Sequence, residues 1–146
     1  MSLKIPQCPP CVLGLISRLS FGVSLLCVGL VHYMTFTSFR AMVTEDLGYA
    51  PIALLGTIWA YLLPALMIVG GVLFVLGMFT EIAVWTSGLA IGSIPAGMLL
   101  KSVLSGMPLS STMPSAINAF TWLIVLIFVV KLQSCCCDNG AKCSKK

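Results

Sequence analysis

The sequence predicts an all-α integral membrane protein, a four-transmembrane-helix bundle with its N and C termini on the cytoplasmic side. Three observations carry that expectation. Of 146 residues, 59% are hydrophobic and only 8% are charged, where a soluble domain typically carries about 25% charge. Mean hydropathy is +1.09. The charges stand at the edges of long uncharged runs, and four such runs approach the roughly 20 residues that a helix needs to cross about 30 Å of hydrocarbon. The same composition excludes other classes. The formal charge of +4 is too dispersed to form a stripe that tracks phosphates, so no nucleic-acid partner is expected. Few charges and abundant Leu, Val and Ile are the opposite of a disordered chain.

Residues 1–11 read as a cytoplasmic N-terminal segment, and residues 12–132 as the membrane domain. The first span runs from about Val12 to Phe36, after Pro9 and Pro10, whose missing N–H groups are costless at a helix start. Arg18 interrupts it near the beginning, close enough to extend its head toward the interface. A secretory signal peptide is the competing reading, but the run is too long for an h-region and lacks a small-residue cleavage pattern. The next uncharged stretch, Leu47 to Thr80, is longer than one span requires. If Trp59 and Tyr61 mark the headgroup level, span two covers about 60–79, and Thr37 to Ile58 forms a surface or re-entrant segment outside it.

Span three is expected over about 82–100, between Glu81 and Lys101, so a turn of a few residues makes it the antiparallel neighbour of span two. Ser102 to Ser115 holds Gly106, Pro108, Pro114 and five serines, which is loop chemistry. Span four is the shortest, over about 116–132. Residues 133–146 form a tail rich in Cys and Lys. The terminal side carries Lys4, Arg18, Lys131, Lys142, Lys145 and Lys146, while the other carries only Arg40 and Lys101, and this asymmetry places both ends in the cytoplasm.

Helices in lipid associate through close backbone approach and shared hydrogen bonds, so small residues mark contact faces. Gly88, Gly92, Ser93 and Gly97 are the expected stripe on span three, and Gly70, Gly71 and Gly77 are its expected counterpart on span two. Pro64 and Pro95 lie within those spans, where each removes a backbone hydrogen bond; the bend can be filled by neighbouring helices or can open a pocket.

The segment Leu63 to Thr80, with paired Gly70 and Gly71, the later Gly77 and the Phe79-Thr80 turn, resembles the second helix and turn of the DoxX-like family. Ile16-Ser17-Arg18-Leu19 through Gly29-Leu30-Val31-His32 is similar to that family's opening helix. The chain departs from the family pattern at Glu81, where a basic residue is common, and at Met67, where an acid is often found. The resemblance implies a small membrane protein of the bacterial inner membrane linked to redox enzymes. Some relatives are subunits of a thiosulfate:quinone oxidoreductase, and others accompany thiol or oxidative-stress systems.

Several side chains are candidates for chemistry. Cys8 and Cys11 have the C-x-x-C spacing of a redox dithiol, although no thioredoxin-like βαβ pattern surrounds them. Cys135, Cys136, Cys137 and Cys143 offer soft ligands to a metal or cluster, or sites for lipidation. Cys27 alone falls inside a span. His32, the single histidine, is a candidate ligand for haem iron or chlorophyll magnesium, or a proton partner for a quinone, against a plain hydrogen-bonding role beside Tyr33. Arg18 can pair with Glu81. Asn118 and Thr121 are expected to form interhelical hydrogen bonds, and could also hold a quinone carbonyl.

Three functions follow. The first is a non-catalytic accessory membrane subunit of a larger redox or electron-transfer complex, since the sequence holds no complete catalytic set. Cofactors such as quinone, haem or chlorophyll would then be bound with integral membrane partners. The second is a small thiol- or quinone-linked oxidoreductase subunit using Cys8 and Cys11. The third is a homo-oligomeric transporter or channel, for which the chain shows no internal repeat.

Overall fold

A computed structural model describes residues 9–44, 50–106 and 108–143, with side chains over 12–44, 54–104 and 108–134. The described residues form five helices: α1 (Pro9–Met34), α2 (Phe36–Thr44), α3 (Ala50–Leu76), α4 (Thr80–Ser105) and α5 (Leu109–Cys143). No strand occurs among them. Four helices contain stretches long and apolar enough to cross a bilayer: Val12–Met34, Leu54–Leu76, Thr80–Leu104 and Leu109–Ser134. Within their most apolar windows only 22 to 39% of residues are buried inside the protein. The outward faces, with Val31, Leu54, Trp85, Val103 and Phe128 all more than half exposed, are therefore a lipid surface. The chain is a multi-pass membrane protein.

The long helices form a closed ring in which α1 packs on α3, α3 on α4, α4 on α5 and α5 on α1. Neighbours run antiparallel. Across the first seam Arg18 faces Gly77, Gly22 faces Gly71, and Gly29 faces Pro64 and Ile68, so one residue number rises as the other falls. The start of α1 and the end of α5 thus lie at one end of the bundle, with the α3–α4 turn. We call this the turn end, and the opposite one the α2 end.

The turn is built by two left-handed residues. Gly77 has φ 70°, which only glycine adopts without strain, and its N–H closes α3 on the Leu73 carbonyl at 2.9 Å. Phe79, at φ 51°, opens α4 without a side-chain cap. Gly106, at φ 65°, ends α4.

The core is aromatic at its centre. Phe21 of α1 meets Phe74 of α3 edge-on, with ring centroids 5.3 Å apart, and reaches Trp122 of α5 at 5.8 Å. Leu25, Leu63, Met67, Ile91, Leu126 and Val129 close around them.

Two boundaries differ from the sequence expectation. Helix α3 starts at Ala50, not near residue 60, because Trp59 is not a headgroup marker: it is half-buried, and its indole finds a partner within the bundle. The surface segment is therefore only α2, whose nine residues, about 13 Å, cannot cross a bilayer. Phe36, Phe39 and Val43 turn inward from it at helical spacing, and Arg40 stays exposed.

The expected loop of Ser102 to Ser115 shrinks to the connection between Ser105 and Leu109. Ser102 and Ser105 belong to the last turn of α4, and Ser110, Ser111, Thr112 and Ser115 fall in the first turns of α5, where short polar side chains are favoured. Ser111 Oγ donates to the Pro108 carbonyl at 2.8 Å, and Thr112 Oγ1 donates to that of Leu109 at 3.3 Å. At the far end α5 stays helical to Cys143, so much of the expected tail continues the helix.

Candidate functional site

Near the α2 end the bundle carries an apolar cavity of about 600 Å³ that is partly open to the surroundings, within the range of roughly 300–1,000 Å³ common for small-molecule sites. All five helices line it. Leu25, Val28 and His32 come from α1, and Phe39, Met42 and Val43 from α2. Helix α3 gives Trp59, Leu63 and Met67; α4 gives Ile91, Ser93, Ile94, Gly97, Met98 and Lys101; α5 gives Ser115, Asn118, Ala119 and Trp122. Leu63 and Ile94, which precede the intrahelical Pro64 and Pro95, are among its lining residues.

Its few polar groups have defined roles. The Nδ1 of His32 lies 2.7 Å from the Val28 carbonyl. A carbonyl oxygen only accepts, so in the neutral ring the proton is on Nδ1 and Nε2 carries the lone pair. Phe39 fixes the imidazole plane by an edge-to-face contact, with centroids 4.5 Å apart at 88°. Tyr33, the neighbour of His32, donates its hydroxyl to the Tyr61 carbonyl at 3.0 Å.

On the facing helices, Trp59 Nε1 donates to Ser93 Oγ at 3.2 Å, and Ser93 donates to the Ala90 carbonyl at 2.8 Å. Lys101 Nζ donates to the Met42 carbonyl near the C-terminus of α2, where a cation is favoured by the helix dipole. Asn118 lines the cavity and has no hydrogen-bond partner among the described residues. The expected interhelical role of Thr121 is not seen, because its hydroxyl is taken by the Ile117 carbonyl of its own helix at 2.9 Å.

The structure distributes the sequence candidates as follows. Gly71 lies backbone to backbone with Gly22 of α1, so that a Cβ there would stand 2.7 Å from the Gly22 carbonyl oxygen. Gly70 is seated on Ser87 of α4, and Gly77 on the guanidinium of Arg18. Of Gly70, Gly71 and Gly77, two therefore serve the α1 seam rather than the α4 stripe. On α4 the inward stripe facing α3 is Ala83, Ser87 and Ala90, all fully buried. Gly88 and Gly92 meet α5 at ordinary contact distance, 3.8 Å from Leu126 and Leu123, and Gly97 borders open cavity.

Arg18 and Glu81 form no ion pair, since Glu81 is exposed and Arg18 has no bonded partner among the described residues. Cys27 is exposed on α1. Cys8 lies outside the described residues, as do the side chains of Cys11, Cys135, Cys136, Cys137 and Cys143. Among the described residues, no three His, Cys, Asp or Glu gather around a point that could hold a metal ion.

Trp59 and Lys101 are site residues that sequence reading assigned to span boundaries. The signal for Trp59 was the unusual length of the uncharged run around it, which one long helix accommodates. Comparison with protein-family models, with curated proteins and with solved structures finds no match to this chain.

Proposed function

We propose that this chain is an accessory membrane subunit that holds a lipophilic molecule of the quinone and quinol class for a redox partner, the partner supplying the electron-transfer chemistry. The cavity carries this reading: an apolar chamber of about 600 Å³ whose few polar groups are the kinds that grip an oxygenated ring. Apolar walls from all the membrane-spanning helices suit an isoprenoid or ring body. The His32 lone pair accepts from a quinol hydroxyl, and the free amide of Asn118 can donate to a quinone carbonyl.

The resemblance to the DoxX-like family favours the same redox setting and a bacterial inner membrane. The Lys and Arg bias favours a cytoplasmic turn end. The test is titration of the detergent-solubilised full chain with a short-chain quinone and its quinol, read by quenching of Trp59 and Trp122 fluorescence. Saturable quenching that weakens on replacing Ala119 with Phe, which fills the chamber, is expected. Quenching that is linear in ligand, or unchanged in A119F, would falsify the reading.

A further inference from the structure

At the turn end, far from the cavity, a cation is seated in a notch that holds no acceptor for it among the described residues. Arg18 lies half-buried on α1 with its guanidinium against Gly77. A Cβ on Gly77 would come within 2.5 to 2.7 Å of Nη1, Nη2 and Cζ, so the absence of a side chain there is what admits the group. The Nε is sealed from the surroundings and has no hydrogen-bond partner. No described residue bonds to the other guanidinium nitrogens, and Glu81 does not pair with them.

Snorkelling brings the side chain to the edge of the bilayer, and there the guanidinium rests on the last turn of α3 with its Nε covered. The partial negative charge of that helix C-terminus favours the position, yet it supplies none of the five N–H donors with an acceptor. The depth identifies what can. Gly77 directly follows Leu76, the last residue of one apolar span, and the next span opens at Thr80. The guanidinium is thus at the edge of the hydrocarbon, where the abundant anion is the lipid phosphate. Its planar fork matches two phosphate oxygens at once.

We infer that Arg18, docked on Gly77, is a phosphate-binding site at the bilayer boundary, occupied by the headgroup phosphate of a phospholipid. The site holds a structural lipid against the α1–α3 seam and is independent of the cavity reading.

The test is native mass spectrometry of the delipidated full chain after titration with phosphatidic acid or with diacylglycerol of the same acyl chains. The wild type is expected to retain phosphatidic acid and not diacylglycerol. Arg18→Gln lowers that retention about tenfold, the scale of losing a charge-assisted bidentate contact, and Arg18→Lys restores part of it. Gly77→Ala, which displaces the guanidinium, acts in the same direction. Inorganic phosphate in large excess is expected to leave the lipid in place; displacement by it would keep the phosphate chemistry and overturn the lipid as its source. Equal retention of both lipids by the wild type, or undiminished retention in R18Q, overturns the site. The two-lipid comparison on the wild type decides the matter even if a variant does not fold.

Discussion

The indole of Trp59 donates to the hydroxyl of Ser93 across 3.2 Å, tying α3 to α4 along one wall of the cavity. Ser93 passes its own proton to the Ala90 carbonyl, so this contact is satisfied from both sides. Replacing Ser93 with Ala leaves the indole N–H facing an apolar chamber, at a cost of about 1–3 kcal/mol. Trp59→Phe removes both the donor and the need for its partner, and is expected to be the milder change. Unfolding midpoints of the two variants in mild detergent check the order.

The glycines separate into two groups by what stands opposite them. Gly22→Ala or Gly71→Ala sets a methyl group against a carbonyl oxygen, 2.9 or 2.7 Å away, and the α1–α3 seam must open. A loss of about 1–3 kcal/mol is expected, the usual range for overpacking. Gly88→Ala and Gly92→Ala find ordinary contact distance, and are expected to remain within about 1 kcal/mol of the wild type. The same unfolding measurement applied to all four variants tests the division.

Ser87 is fully buried on α4, and its hydroxyl has no hydrogen-bond partner. Removing an unpaired buried hydroxyl restores nothing that the protein was using and relieves its desolvation. Ser87→Ala is therefore expected to be neutral or stabilising by up to about 1 kcal/mol. A clear destabilisation would show that the hydroxyl is hydrogen-bonded inside the folded bundle.

His32 presents a lone pair to the cavity because the Val28 carbonyl holds its other nitrogen. On the quinone-class reading, His32→Leu weakens a quinol, which donates through O–H, more than the matching quinone, which cannot. A selective loss of about 1 kcal/mol, several-fold in affinity, is the expected scale for one hydrogen bond. Parallel fluorescence titrations with both redox forms measure the ratio; equal losses would remove the lone pair from the account.

Lys101 fastens α2 to α4 through the Met42 carbonyl. Lys101→Met keeps the apolar stem and removes the donor. Faster amide exchange in α2, with α3 and α4 unchanged, is the expected outcome by hydrogen exchange and mass spectrometry.

Membrane architecture was legible because each span is dominated by one transfer term that composition reports directly. The apolar spans and the tight turn around Thr80 follow from charge placement alone. What sequence reading misplaced were the positions where tertiary partners override local chemistry. Trp59 looks like an interfacial anchor until Ser93 satisfies its indole, and Ser110 to Ser115 look like loop until they fall in the first turns of α5. The glycines of α3 were recognisable as small residues, but not which neighbour each one serves, because that depends on which helix stands beside each face. The cavity was least legible: it is a shared void, and Leu25, Ile94 and Trp122 line it without any pattern in the sequence that sets them apart.

The seams of the ring are unequal in how closely their backbones approach. Helices α1 and α3 are sutured where Gly22 and Gly71 bring their backbones together, and neither can slide without breaking that contact. Against α5, Gly88 and Gly92 leave ordinary clearance, and the cavity reaches that helix at Ala119 and Trp122. On the quinone-class reading, a guest dissolved in the bilayer is predicted to come in beside α5, where no backbone carbonyl stands against a glycine as it does at the α1–α3 seam. Cysteines placed to cross-link α4 to α5 at this level should slow ligand exchange, whereas a cross-link across the α1–α3 seam should leave it unchanged.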